Sequence, residues 1–309
     1  RVFRPRTDLL PGIAGDTVIT TNSLGVRGPE LPETPDAYRI LCIGGSSTEC
    51  LYLDDAETWP HLLMERLAGS GARPVWVGNA GIGGYSTRHH LPFVAASELM
   101  DRIDCLVVQV GLNDFGRFTS GMDERYDAAL SPKPLWYRSR ICSFGRALWT
   151  RWKALEVEDQ AGTGYARRRR RRRQAVVHDG LPDLRPGLES YERRIRAMIA
   201  RCREWGVRIV FTSQPVLWRE DLPESAQRLL WCGWLKDGRY VTVRRLREGM
   251  DRYNALTRSV CEETGAGFID LSPLDGRLDL FYDDCHFNEP GAREVARLVA
   301  DWFADHPPP

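Results

Sequence analysis

A chain of 309 residues is too long for a disulfide-stapled miniprotein, and 42% hydrophobic with 28% charged residues excludes disorder throughout. The 43 basic and 42 acidic residues leave a net charge of +1, so no global field draws in nucleic acid or an anionic membrane. The eight cysteines never form Cys-x-x-Cys, which excludes zinc-ribbon and thioredoxin-type chemistry.

The chain begins at Arg1 without Met. That suggests an upstream signal peptide or anchor and a place outside the cytoplasm or on a membrane, with a cytoplasmic location left open. Residues 1–37 carry Pro, Gly and Thr turns without a long helix and read as an arm over the core. A first apolar run, 39–43 (RILCI), predicts a strand and leads into Gly44-Gly45-Ser46-Ser47-Thr48. Trp59, Leu62, Leu63, Arg66 and Leu67 then form one face of a helix. A second strand is predicted at 74–77 (PVWV), followed by a glycine-rich block at 79–84 and by His89 and His90 on a helix. The third, 105–110 (CLVVQV), ends in Gly111-Leu112-Asn113-Asp114.

Residues 115–188 break the rhythm and read as an insertion. Ile141, Phe144, Leu148, Trp152 and Leu155 recur at helical spacing, with Trp136 and Trp149 nearby. Packing on the core is the plain reading of that helix; the sharper one is a lid or apolar wall beside a crevice, suiting an acyl chain or a membrane interface. Seven consecutive arginines, 167–173, read as a mobile, solvated loop. Tyr191, Ile195, Met198 and Ile199 predict the next helix, stopped at Gly206, before a fourth strand at 207–212. A Trp-rich stretch, 218–234, is placed as an opposite wall. A helix at 244–263, a fifth strand at 267–271 and a helix at 292–303 complete the chain. No run approaches the roughly 18 apolar residues that span a bilayer.

Short apolar strands alternating with amphipathic helices predict an α/β fold, doubly wound around five parallel strands in a single domain over 1–309. In such a sheet, residues just after the strand C-termini converge in one crevice. A Ser in the glycine turn after the first strand would sit at a helix N-terminus, where backbone N–H groups favour developing negative charge. Near the C-terminus stands Asp283-Asp284-Cys285-His286. A carboxylate three residues before a His can fold back to accept its Nδ1–H, leaving Nε2 as a general base.

These four blocks, in this order, resemble those of the SGNH (GDSL-like) hydrolases. The resemblance runs from about residue 39 to 303, outside the insertion. It implies a flavodoxin-like three-layer α/β/α fold and ester hydrolysis through an acyl-enzyme. It puts the nucleophile on Ser46, the oxyanion donors on Ser46, Gly84 and Asn113, and the Asp-x-x-His pair on Asp283 and His286. Gly45 stands where the family motif carries Asp; that Asp is not the triad acid, so the motif is weakened and the mechanism is not.

Rivals remain within the same blocks. Ser47 is a second nucleophile but suits a cap in the first helical turn. Asp284 is a second acid at the less favourable spacing. Asp283, Asp284, Cys285 and His286 look like half a metal site without a second cluster, and Cys285 lacks a separate base. The expectation is a serine esterase acting on a lipid ester, an acetylated sugar or a small acyl ester, with no cofactor, metal or nucleic-acid partner. An O-acyltransferase on the same triad and an inactive binding scaffold are the alternatives. Oligomeric state is not readable from the sequence.

Overall fold

The computed structural model describes residues 2–69, 73–123 and 162–307. Five parallel strands form the centre: β1 (Tyr38–Gly44), β2 (Val75–Asn79), β3 (Cys105–Gln109), β4 (Arg208–Thr212) and β5 (Gly267–Ile269), in the order β2-β1-β3-β4-β5. All five lie within two residues of the predicted runs. β3 is buried at every position and β1 at all but one, which explains apolar runs that do not alternate.

Among the described residues the helices used below, in chain order, are α1 (Ser46–Glu49), α2 (Trp59–Gly69), α3 (Thr87–Ala96), α4 (Leu112–Thr119), α5 (Thr163–Gln174), α6 (Arg185–Trp205), α7 (Val243–Thr264) and α8 (Glu289–Asp305), with one further short turn of helix at Glu224–Gln227. The long ones bury the stripes that predicted them. α6 turns in Tyr191, Ile195, Met198, Ile199 and Cys202; α8 turns in Val295, Ala296, Val299 and Phe303. The result is the three-layer α/β/α arrangement expected. The strand order reverses between β1 and β3, and there a crevice opens at the carboxyl edge of the sheet.

Two expectations need correction. The segment 115–188 is not one intrusion: residues 115–119 belong to α4, and α6 starts at Arg185, six residues before its first predicted apolar position. The arginine run is not a mobile loop either. It forms the body of α5, and Arg169 and Arg172, three apart and so on one face, are 5% and 8% exposed. Arg169 donates to the carbonyls of Leu9 (2.6 Å), Leu229 (3.0 Å) and Tyr282 (2.8 Å). Arg172 donates to those of Cys232 and Val241. A guanidinium carries five fixed donors, and these two use theirs to join the N-terminal arm, the Trp-rich loop and the loop at Tyr282 that leads into Asp283. The amphipathic helix expected at 141–155, with Trp136, Trp149 and Trp152, lies outside the described residues. Among the described residues no helix is long and apolar enough to cross a membrane.

The arm is tied down through Arg27, 7% exposed, which donates to Asp55 (2.5 Å) and to the carbonyls of Glu49 (2.9 Å) and Leu53 (2.6 Å). The seven cysteines in the described residues are all free thiols.

Candidate active site

Ser46 opens α1 directly after the turn that leaves β1, with Gly45 as N-cap. Its Oγ lies 2.6 Å from Nε2 of His286. The other ring nitrogen, Nδ1, is 2.8 and 2.9 Å from the two oxygens of Asp283. With the proton on Nδ1 donated to that carboxylate, Nε2 is the acceptor for the Ser46 hydroxyl.

The loop of residues 283–286 is wound around Asp283. Its Oδ1 also accepts the N–H groups of Cys285 and His286 at 3.0 Å, and its Oδ2 the indole N–H of Trp231 at 2.8 Å. Burial is the largest influence on this carboxyl and pushes its pKa up. The charge of His286 and these hydrogen bonds outweigh it, and Asp283 titrates below the usual range. Asp284 goes the other way: burial first, and then the neighbouring Asp283 charge, push it up.

The structure separates the two carboxylates by role. Asp284 faces away from His286 and accepts from the Trp218 indole (2.6 Å) and from the backbone N–H groups of Trp231 (2.5 Å) and Cys232 (3.2 Å). It fastens the Trp-rich loop. Ser47 is separated from Ser46 in the same way. It is 4% exposed, and its Oγ donates to the Cys285 carbonyl at 3.1 Å. It ties α1 to the His286 loop and does not make the helix cap expected of it.

Asn113 and Gly84 line the same cavity as Ser46, each on the segment that follows a neighbouring strand. The block after β2 is held at its root by Ala80 N–H on Cys42 O (2.8 Å) and Ile82 N–H on Gly44 O (3.0 Å). Gly84 then takes φ +78°, a conformation costly for any residue with a Cβ. Asn113 enters from the first turn of α4, and one amide hydrogen is donated to Tyr85 O at 2.7 Å. An amide nitrogen carries two hydrogens, so one remains for another acceptor. Its neighbour Asp114 is buried and bound by the Thr87 hydroxyl (2.5 Å) and N–H (3.2 Å), linking α4 to α3. Burial raises its pKa to about 6, against those hydrogen bonds.

A cavity of about 580 Å³ contains Ser46 and His286. Its wall holds Trp218, Trp231 and Trp234, as the sequence suggested for that stretch, and also Tyr165, Tyr282, Arg168 and Arg171, which sequence reasoning missed as site residues. Tyr282 and Trp231 stack nearly parallel to the His286 ring, at 9° and 11°, and Tyr165 meets it edge-on. No motif marked Tyr165 or the arginines, because α5 reaches the site only through tertiary packing. His89 stacks on Tyr85 at 4.7 Å, while His90 is buried at 3% exposure and does not line the Ser46 cavity.

Asp283, Cys285 and His286 bring their donor atoms within 4.8 Å of one another. The carboxylate and Nδ1 are engaged with each other, and burial pushes the Cys285 thiol well above its ordinary pKa. A protonated thiol is a poor ligand, so the cluster suits a hydrogen-bonded pair better than an ion.

A sequence model of the GDSL-like Lipase/Acylhydrolase family matches residues 42–294. Among curated proteins, none matches the chain. Among solved structures, Axe2, an acetylxylan esterase from Geobacillus stearothermophilus, superposes with a TM-score of 0.50 at 15% identity, covering 86% of this chain and 93% of that one. LAE5, an alpha/beta hydrolase enzyme from the metagenome of Lake Arreo, Spain, gives 0.51 at 15% identity, with 86% and 95% covered. At such identity these likenesses speak for the fold.

Proposed function

The chain belongs to the GDSL-like lipase/acylhydrolase family, and on that premise we propose that it hydrolyses a carboxylic ester through Ser46, His286 and Asp283. The observation that carries this reading is the unbroken relay from Ser46 Oγ to His286 Nε2 at 2.6 Å and from Nδ1 to Asp283 at 2.8 Å, inside a cavity large enough for a small ester.

Ser46 attacks the ester carbonyl while its proton passes to His286 Nε2. Asp283 holds the imidazole in the tautomer that leaves Nε2 basic and stabilises the imidazolium that forms. The oxyanion falls to the N–H groups of Ser46 and Gly84 and to the spare hydrogen of Asn113. The helix N-terminus at Ser46 adds a favourable dipole. His286 returns the proton to the departing alcohol, then activates water to release the acid and restore Ser46. The aromatic wall supports a small acyl ester or an acylated sugar, whose apolar faces suit ring surfaces.

The test is covalent labelling with a neutral fluorophosphonate. Label on Ser46, lost in Ser46→Ala with folding intact, is the expected result. Undiminished labelling of Ser46→Ala would move the nucleophile elsewhere.

A further inference from the structure

Among the described residues the exposed arginines of α5 have no acidic partner. Arg169 and Arg172 are turned inward, and Arg167, Arg168, Arg170, Arg171 and Arg173 are exposed. Among the described residues none of these five has a carboxylate within 4.0 Å. Elsewhere on the surface many arginines do have an acid partner, two residues away, as Arg185 with Asp183 and Arg219 with Asp221, or within a helical turn, as Arg228 with Glu224 and Arg297 with Asp301. Like charges three and four apart on a helix repel. The helix dipole favours the last turn, Arg171 to Arg173, and leaves the earlier cations uncompensated.

Two of the five belong to the Ser46 cavity. Arg168 and Arg171 line it. The Arg168 guanidinium lies 4.9 Å from the Trp231 ring centre and 5.3 Å from that of Tyr165, the two rings packed on His286; Arg171 lies 4.7 Å from Trp234. Stacking on a ring restrains a guanidinium plane while leaving its edge N–H groups free for oxyanions, which lowers the ordering cost of binding. The cavity's third arginine, Arg117, is already paired with Asp123 at 2.7 Å. Its one exposed-side carboxylate, Glu49, lies against Gly83 on the Ser46 side.

We propose that Arg168 and Arg171 are specificity-determining residues that hold an anionic group, a carboxylate, sulfate or phosphate, borne by the ester itself. The proposal rests on the esterase reading of Ser46 and narrows its substrate class. The arginines take no part in bond making: water still cleaves the ester to acid and alcohol, and the anion stays on whichever fragment carried it. Low-dielectric aromatic walls strengthen the field of the two charges inside the cavity.

The experiment compares kcat/KM for charged and neutral ester pairs. 4-Acetoxybenzoate against its methyl ester puts the charge on the departing alcohol; monophenyl adipate against its methyl ester puts it on the acyl group. At least one charged ester is expected to be preferred. In R168Q/R171Q its charged-to-neutral ratio should fall by about tenfold to a hundredfold, the size of charge-assisted hydrogen bonds. R168K/R171K should restore part of the ratio, and R167Q/R173Q, off the cavity, should leave it alone. Added salt should erode the wild-type preference.

A ratio unmoved in R168Q/R171Q for both pairs, with Ser46 still labelled, would overturn the proposal and leave the esterase reading standing. The same result with lost binding to phosphatidylglycerol vesicles would assign the arginines to a surface instead. Neither ester turned over and Ser46 unlabelled would remove both readings together.

Discussion

The side-chain amide of Asn113 occupies the space that a Cβ on Gly45 would need, its Nδ2 only 2.3 Å from that position. Gly45 has φ −84°, so its backbone tolerates any residue and the conflict is with Asn113 alone. This gives a physical reason for Gly where the family motif carries Asp. Gly45→Ala should therefore displace the amide of Asn113 while sparing the fold. Loss of one oxyanion donor costs roughly a hundredfold to a thousandfold in kcat. Gly45→Ala and Asn113→Ala should each fall in that range, and the double variant should be no worse than either, because both remove the same donor. Steady-state kinetics decide it: a fully active Gly45→Ala would show that Asn113 can move without consequence.

The two adjacent carboxylates should separate cleanly by assay. Asp283→Asn removes the acceptor for His286 Nδ1–H and should lower kcat by about 10⁴ with binding little changed. Asp284→Asn weakens the anchorage of Trp218, Trp231 and Cys232, and should cost about 1–3 kcal/mol of stability instead. Paired measurements of kcat and denaturant midpoint test this. If Asp284→Asn destroys turnover at unchanged stability, the acid has been misassigned.

What the sequence made visible follows from how far apart the interacting residues lie. Five strands were readable because burial on both faces leaves an apolar run, and the four blocks that hold Ser46, Gly84, Asn113 and the Asp283–His286 pair stood out because each follows a strand or lies within one short loop, the resemblance then choosing the residues within them. The α5 helix was not. Seven arginines have no apolar stripe, and what makes Arg169 a buried residue is three carbonyls at Leu9, Leu229 and Tyr282, 160, 60 and 113 positions away. Tyr165, which meets the His286 ring edge-on from the same helix, was hidden for the same reason. Gly45 looked like a weakened motif until Asn113 was seen beside it.

Arg169 and Arg173 should behave as different kinds of residue within one run. Arg169→Ala strands one buried and two part-buried carbonyls and leaves a guanidinium-sized cavity, and should cost about 3 kcal/mol. It should also slow turnover, since Tyr282 precedes Asp283 and stacks on His286. Arg173→Ala, exposed and without an acidic partner among the described residues, should change stability by less than about 0.5 kcal/mol. Deleting 166–174 should then unfold the site, contrary to what a mobile loop would allow. Urea titrations of the two point variants are sufficient; equal midpoints would return the run to a solvated loop.

His90 should make the protein acid-sensitive in a defined window. It is 3% exposed with no partner for Nε2, and burial, followed by the charge of His89, lowers its pKa from 6.5 to about 4. As pH falls below 6.5 the unfolded chain takes up a proton that the native state refuses until about pH 4. The unfolded state binds more protons in between, so stability declines on acidification, by on the order of 3 kcal/mol in total. Asp114 acts in the opposite sense: raised from 3.8 to about 6 by burial, it holds its proton in the native state and favours folding as pH falls through that range. Wild-type stability alone therefore blends slopes of opposite sign, with Asp284 pushed up and Asp283 pushed down as well. The difference between wild type and His90→Leu isolates one. At pH 7.5 the variant should be at least as stable, since a buried nitrogen without a partner is removed. Between pH 6.5 and 4 its advantage should grow by most of that 3 kcal/mol, read from urea midpoints at each pH. A constant difference across the window would mean that His90 reaches solvent or a proton acceptor in solution.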